Sequence, residues 1–446
     1  MSDCKQDRHV DVIQPSSNRH RKDTISSSTE YILLSEIGFG RENCHTIVTY
    51  LSWERHDEIP TLSIEARRNL MRIVLLSVFW VCSTSAFPVL AQSTSWAERI
   101  TFSGDYRVRH EGFYNQKTGT GADAPSRNLI RVRGRFGLTT DINSYVSLHL
   151  RVATGNPENP ISNNETLDKF FKRPTLALDR GFIRLSYGTG TKTVSADMGK
   201  ISNPIYTKSQ IVWDNDIQPS GIVEKFTIRK PSAYRFDVQL MQYAVEEVAA
   251  GKDAWMFGGQ IHLEWTLRKG VEIDLSAGSY RYFKANLIAK SPITDIVKGN
   301  RKDSSGNFLS EFNLVNLNGG FTLQTGLPAY PVRIFGDFVV NTGAKKDVTG
   351  KKEHTGLYTG IRVGNAGKPG EISIAVVFLK VRQDAVLSTF SFSDVPSDGR
   401  QGAILELGIP LLPKTTFCLT GIFTKPLNGP VKSTLIRTQT DLSVQF

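Results

Sequence analysis

Arginine recurs at every second position in several stretches of this chain. Arg107 and Arg109 form one row and Arg131, Arg133 and Arg135 another; His149 precedes Arg151 by two, and Arg180 precedes Arg184 by four. In an extended chain, residues two apart project from the same face, so each stretch gathers its positive side chains on one side. A row of fixed guanidiniums beside water attracts anions and repels cations. The residue types that catalysis needs are not gathered in this way. Downstream of residue 91 the histidines are His110, His149, His262 and His354, and none sits in a recognisable nucleophile or metal motif. Cys418 stands alone there, too few cysteines for a disulfide or a metal cluster. No glycine-rich phosphate loop appears. The expectation is a protein without catalytic residues, metal or cofactor.

The elements that carry these arginines read as β-strands. Ile100, Phe102, Tyr106 and Val108 alternate with the first row, and Ile130, Val132, Phe136 and Leu138 with the second. Val146, Leu148, Leu150 and Val152 oppose His149 and Arg151, while Ile183, Leu185 and Tyr187 oppose Arg184. The closing stretch 433–446 keeps the same period, with Ile436, Leu442, Val444 and Phe446 on one parity and Arg437, Gln439, Asp441, Ser443 and Gln445 on the other. Two apolar-faced arrangements fit such strands, a soluble sandwich or a membrane barrel with lipid outside and a wet lumen inside. In the barrel, an arginine turned to lipid at the midplane costs about 2–4 kcal/mol, which sends the arginine rows inward. Trp255 and Trp265 share the apolar parity of 254–268. Ten residues on a strand tilted near 45° span roughly 23 Å, close to the ~25 Å between aromatic girdles.

About sixteen such segments follow one another: 99–111, 127–140, 145–154, 176–187, 192–200, 220–229, 233–244, 254–267, 271–283, 308–324, 332–341, 354–363, 370–382, 401–409, 415–424 and 434–446. The weakest are 192–200 and 401–409, which leaves fourteen or eighteen strands as alternatives. Long connectors alternate with short ones, no short connector exceeding the shortest long one. Tight turns such as 188–191, 230–232 and 268–270 face one way and loops such as 201–219 the other. That alternation, rather than any single strand, favours an all-β transmembrane antiparallel barrel over a sandwich.

Composition agrees. The chain has 446 residues, 39% of them hydrophobic, and a net charge of +11. A low apolar fraction is what results when only every second strand residue meets lipid. No basic cluster with interleaved aromatics marks a nucleic-acid surface. Residues 71–91 (MRIVLLSVFWVCSTSAFPVLA) follow the secretory pattern, with Arg72 before a short apolar run and a cut expected after Ala91. The apolar run is too short for a membrane helix. Residues 1–70 then read as upstream sequence before a start at Met71, or as a disordered leader, and 92–446 as the barrel. Residues 1–91 carry 10 basic and 11 acidic side chains, so the excess of 44 basic over 32 acidic belongs to 92–446.

Four further phrases complete the pattern: Phe102-Ser-Gly-Asp-Tyr-Arg-Val-Arg109, Met198-Gly-Lys-Ile-Ser-Asn-Pro204, Val212-Trp-Asp-Asn-Asp216, and the terminal Phe446. With the export segment, they make residues 98–446 resemble the bacterial outer-membrane porins. The resemblance implies an outer-membrane location, surrounding lipid and a homotrimer of barrels passing small hydrophilic solutes by diffusion. It implies that Phe446 is read by the barrel-assembly machinery. It also implies that the third long loop, 201–219, folds into the barrel and sets Asp214 and Asp216 across a constriction from the arginines. Such opposed charges make a transverse field leaning toward anions. The arginines could equally be solvated or paired with inward acids such as Asp105, Asp197 and Asp237. A substrate-specific channel (phosphate, sugar or carboxylate), a structural or adhesive barrel, and an outer-membrane enzyme are the rival readings.

Overall fold

The computed structural model describes residues 96–446 apart from 119, 169, 292–298, 348–349, 396–398 and 430–431. The expected signal segment 71–91 and the stretch 1–70 lie outside the described residues. The strands are β1 (Ile100–Tyr114), β2 (Arg127–Asp141), β3 (Val146–Thr154), β4 (Glu165–Thr166), β5 (Leu176–Gly188), β6 (Lys192–Lys200), β7 (Ser220–Lys230), β8 (Tyr234–Glu246) and β9 (Ala254–Arg268). There follow β10 (Val271–Phe283), β11 (Asn313–Leu323), β12 (Val332–Asn341), β13 (Thr355–Val363), β14 (Ser373–Val381), β15 (Arg400–Leu412), β16 (Thr415–Pro426) and β17 (Leu435–Gln445).

Every wall strand pairs antiparallel with its chain neighbours, and β17 returns to β1 with Asp105 opposite Gln445 and Tyr114 opposite Ile436. The sheet therefore has no free edge. The two-residue β4 is a strap in the connection after β3. It pairs with β2 while β3 pairs directly with β5, so sixteen strands build the barrel. Both segments with the weakest alternation, 192–200 and 401–409, are wall strands. One expected strand is too long: 308–312 belongs to the preceding loop. There Phe308 meets Phe312 edge-on at 5.3 Å, and both rings are buried instead of facing outward. The strict separation of long and short connectors also fails. The short-side connections 324–331 and 364–372 are longer than the long-side connection 247–253. Strands at that place extend further at their long-loop ends than alternation alone could show.

The two faces are the reverse of a soluble protein. Large apolar side chains stand outward and exposed, Phe102 at 71% and Leu178 at 58% among them, with Phe136, Ile183, Leu317 and Ile374. A soluble monomer rarely carries an apolar surface of that extent, whereas lipid requires it. Inward positions are polar yet buried, including Glu111, Asp237, Gln260, His262, Asn316 and Asp337. Among the described residues, no helix is long and apolar enough to cross a membrane. Trp255 and Trp265 both face outward; Trp265 is opposite Tyr234, and Tyr145 stacks on Tyr187 at the same short-turn end.

What resembles a soluble core lies at the long-loop end. Ile161, Ile201, Ile211, Val212, Trp213, Phe312, Val386 and Leu387 come from loops and pack on inward Tyr243, Met256, Tyr280 and Leu314. The loops thus fold into the barrel mouth rather than away from it.

Candidate functional site: an arginine wall and an infolded loop

The inner faces of β1, β2, β3, β5 and β17 carry the arginine rows. Arg109 makes a two-pronged contact with Asp441, Nε to Oδ1 at 2.6 Å and a terminal nitrogen to Oδ2 at 2.8 Å. Arg131 meets Glu111 at 3.1 Å. Arg133 and Arg135 share Asp105 at 2.8 and 2.7 Å, each taking one oxygen. Arg151 pairs with Asp179, and Arg184 grips Asp197 at 2.6 and 2.7 Å. Planar guanidinium forks of this kind hold a carboxylate with two parallel bonds.

Two arginines are less fully matched. Arg107 donates to Asn164 Oδ1 at 2.5 Å and comes no nearer than 3.7 Å to the Asp441 carboxylate. Arg180 donates Nε to Gln218 Oε1 at 2.6 Å and has no ion pair among the described residues. His149 stands apart from the rows. It stacks on Phe182 at 4.5 Å and exchanges hydrogen bonds with Ser147 and Thr139 near the short-turn end.

The loop 201–219 crosses the lumen and is tied along its length. Tyr206 lies flat on His262 at 3.7 Å and donates its hydroxyl to Asp237 at 2.9 Å. Thr207 and Ser209 both donate to Asp337, at 2.8 and 2.6 Å. Trp213 donates its indole N–H to the Tyr282 hydroxyl at 2.6 Å. At the far end Asp216 approaches Arg135 at 3.4 Å and accepts the Asn163 backbone N–H at 3.1 Å. This loop can be held in the barrel because the inward parity of β8 to β12 supplies hydrogen-bonding partners where a soluble core would supply hydrocarbon.

Asp216 therefore meets the wall, but Asp214 does not. Its carboxylate is 3% exposed and accepts the backbone N–H groups of Asp216 at 2.9 Å and Ser393 at 2.8 Å. Burial, with the neighbouring Asp216 charge, pushes the Asp214 carboxyl up to about 7. The acid that faces the arginines in its place is Asp394, from the loop after β14. It lies 2.7 Å from Arg437 and 3.4 Å from Arg109. Burial alone would raise its carboxyl; the Arg437 and Arg109 guanidiniums outweigh that and hold it below the usual carboxylate range.

Period-two reading places Asp105, Glu111, Arg437 and Asp441 on the wet face, and they are there. It misses Asp179. A β-bulge at Arg151/Val152 shifts the register of β5, so Leu176 and Leu178 face outward while Asp179 reaches Arg151 beside inward Arg180. Asp394, Asn164 and Gln218 come from loops, where no periodicity points. Of the acids named as alternative partners, Asp105 and Asp197 do pair with wall arginines. Asp237 instead serves Lys225, Arg235 and His262.

Residues 121–307 match the family model described as "Putative porin". No curated protein sequence matches the chain. The barrel is similar to a high-pH structure of OprB from Pseudomonas putida, at 12% identity and a TM-score of 0.51, covering 78% of this chain and 95% of that one. A Salmonella typhi OmpF complex with daunomycin covers 78% of this chain and 97% of that chain at 9% identity, with a TM-score of 0.46. The matched segment runs from the first long loop into the fifth and includes most of the arginine wall and the whole infolded loop. Over those residues the chain is similar to the "Putative porin" family, and the closed sixteen-strand barrel around them has the fold of the Pseudomonas putida OprB structure.

Proposed function

We propose that the channel passes small hydrophilic solutes by diffusion and favours anions. The observation that supports this is the charge balance where the infolded loop meets the wall. Arg107, Arg109, Arg131, Arg133, Arg135, Arg151, Arg180 and Arg437 face Asp105, Glu111, Asp179, Asp216, Asp394 and Asp441. Positive side chains outnumber carboxylates, and the surplus falls on Arg107 and Arg180. Most of the wall is thus internally neutralised, and the preference expected is modest. Reconstitution in planar bilayers tests it. Stepwise conductance with a reversal potential of anionic sign in a KCl gradient supports the reading; no conductance, or a cationic sign, ends it. Conductance that saturates in one anion would replace diffusion by a substrate-specific channel.

Export by 71–91 with cleavage after Ala91, translation from Met71, assembly into a homotrimer, and recognition of Phe446 by the assembly machinery belong to the same reading. A mature N-terminus other than Gln92, found by sequencing the exported protein, would overturn the cleavage assignment.

A further inference from the structure

A second cluster lies on the inner faces of β8, β9 and β10, away from the arginine wall. His262 and Glu264 are two apart on β9, and Asp274 of β10 is directly opposite Glu264. His262 is 2% exposed. Its Nδ1 lies 3.4 Å from Asp237 Oδ2, and Tyr206 of the infolded loop covers its ring. Nε2 is turned the other way. A buried imidazole nitrogen, with no well-formed hydrogen bond, is aimed between the carboxylates of Asp274 and Glu264, whose Oδ1 and Oε1 stand 3.4 and 3.9 Å away.

We propose that His262 Nε2, Asp274 Oδ1 and Glu264 Oε1 form a site for a divalent transition-metal cation of the Zn2+ class. The three ligand atoms lie within 4.8 Å of one another. A tetrahedral zinc with ligands near 2.0–2.1 Å sets its ligand atoms about 3.3 Å apart. Two of the edges already stand at 3.4 and 3.9 Å, and Glu264, with its side chain 48% exposed, is free to close the third. Asp237 on Nδ1 supplies the carboxylate that orients a metal-binding histidine from behind. Lys208 holds the other oxygen of Asp274, Oδ2, at 2.5 Å and leaves Oδ1 to the ion. Glu264, Asp274 and Lys208 border a cavity of about 710 Å³, so ions reach the cluster from the lumen. A nitrogen and two carboxylate oxygens suit Zn2+ better than Mg2+ or Ca2+, which prefer all-oxygen cages. The fourth position remains for water. The anion preference of the arginine wall does not depend on this site.

The test is titration of the intact detergent-solubilised barrel with Zn2+ alone, by calorimetry or equilibrium dialysis. One ion per chain is expected, not displaced by excess Mg2+. His262→Gln and Glu264→Gln each weaken it by about tenfold or more, the loss expected when one ligand of three is removed. Glu272→Gln, which borders the same cavity outside the cluster, leaves binding as in the parent. Co2+ substituted at the site gives four-coordinate absorption bands that His262→Gln abolishes. No binding, or binding equal in the His262 and Glu264 variants, overturns the proposal. Should His262→Gln fail to assemble, the exposed Glu264 position decides.

Discussion

An arginine acts on a passing solute only with the charge that its protein neighbours leave over. Arg109, gripped by Asp441 on two prongs, spends most of its field inside the wall. Arg107 and Arg180, held by the neutral amides of Asn164 and Gln218, do not. The arginine rows themselves were legible, because period-two parity fixes a face; their neutralisation was not, because it depends on a bulge at Asp179 and on loop residues such as Asp394. Asp394→Asn should leave Arg109 and Arg437 with a carboxylate each and one uncompensated charge. It is expected to raise the chloride preference and to cost about 1–3 kcal/mol of stability. With its carboxyl held low in the folded state, Asp394 stabilises fully above the unfolded value near pH 4, and that contribution is lost as pH falls further. The melting difference between parent and variant should therefore shrink below about pH 4. Asp214 has the opposite sign. Its raised carboxyl costs the fold stability progressively as pH climbs from about 4 to 7, in full above 7, and that cost is relieved as pH falls back through the same window. Chloride preference should rise between about pH 8 and 6, and Asp214→Asn should flatten that dependence.

At the scale of elements, alternation marked a segment at each of the sixteen wall strands, since a barrel wall has one demand per face, but it left fourteen or eighteen strands open and ran the segment 308–324 into its loop. The loops follow no such rule. The inward course of 201–219 came from the family resemblance, and its attachment to β8 to β12 came only with the structure. Asp337 is the anchor whose loss should matter most, because Thr207 and Ser209 both donate to it. Asp337→Ala leaves the Ser209 hydroxyl without its acceptor, a cost of about 1–3 kcal/mol if it stays buried, and leaves Thr207 only the Ser209 carbonyl. The loop is expected to leave its seat, giving larger and noisier single-channel conductance. A conductance trace identical to that of the parent would show that Trp213 and Tyr206 hold the loop without Asp337.

The whole molecule closes where its last residue meets its first strand. The Phe446 amide donates to the Gly104 carbonyl at 3.1 Å, and the Gly104 amide returns a bond to the Phe446 carbonyl at 3.2 Å. The Phe446 ring lies over Gly104, and a Cβ there would run into it. Gly104→Val should therefore slow closure much as removal of Phe446 does, seen as a smaller folded fraction by heat-modified gel mobility. Normal assembly of both variants would separate the ring from the closing step. Closure makes a lumen, and the lumen's charge sets which ions pass. The most direct measurement is the chloride-to-potassium permeability ratio of the parent channel beside an Arg107→Gln, Arg180→Gln double variant. A unit charge about 6 Å from a permeating ion is worth about 0.7 kcal/mol in water and roughly half that at physiological salt; with chloride drawn in and potassium repelled, the ratio changes roughly threefold for each arginine. The ratio is predicted to begin above one and fall by several-fold in the variant. An unchanged ratio, in a variant that still conducts, would contradict the claim that these two arginines set the selectivity.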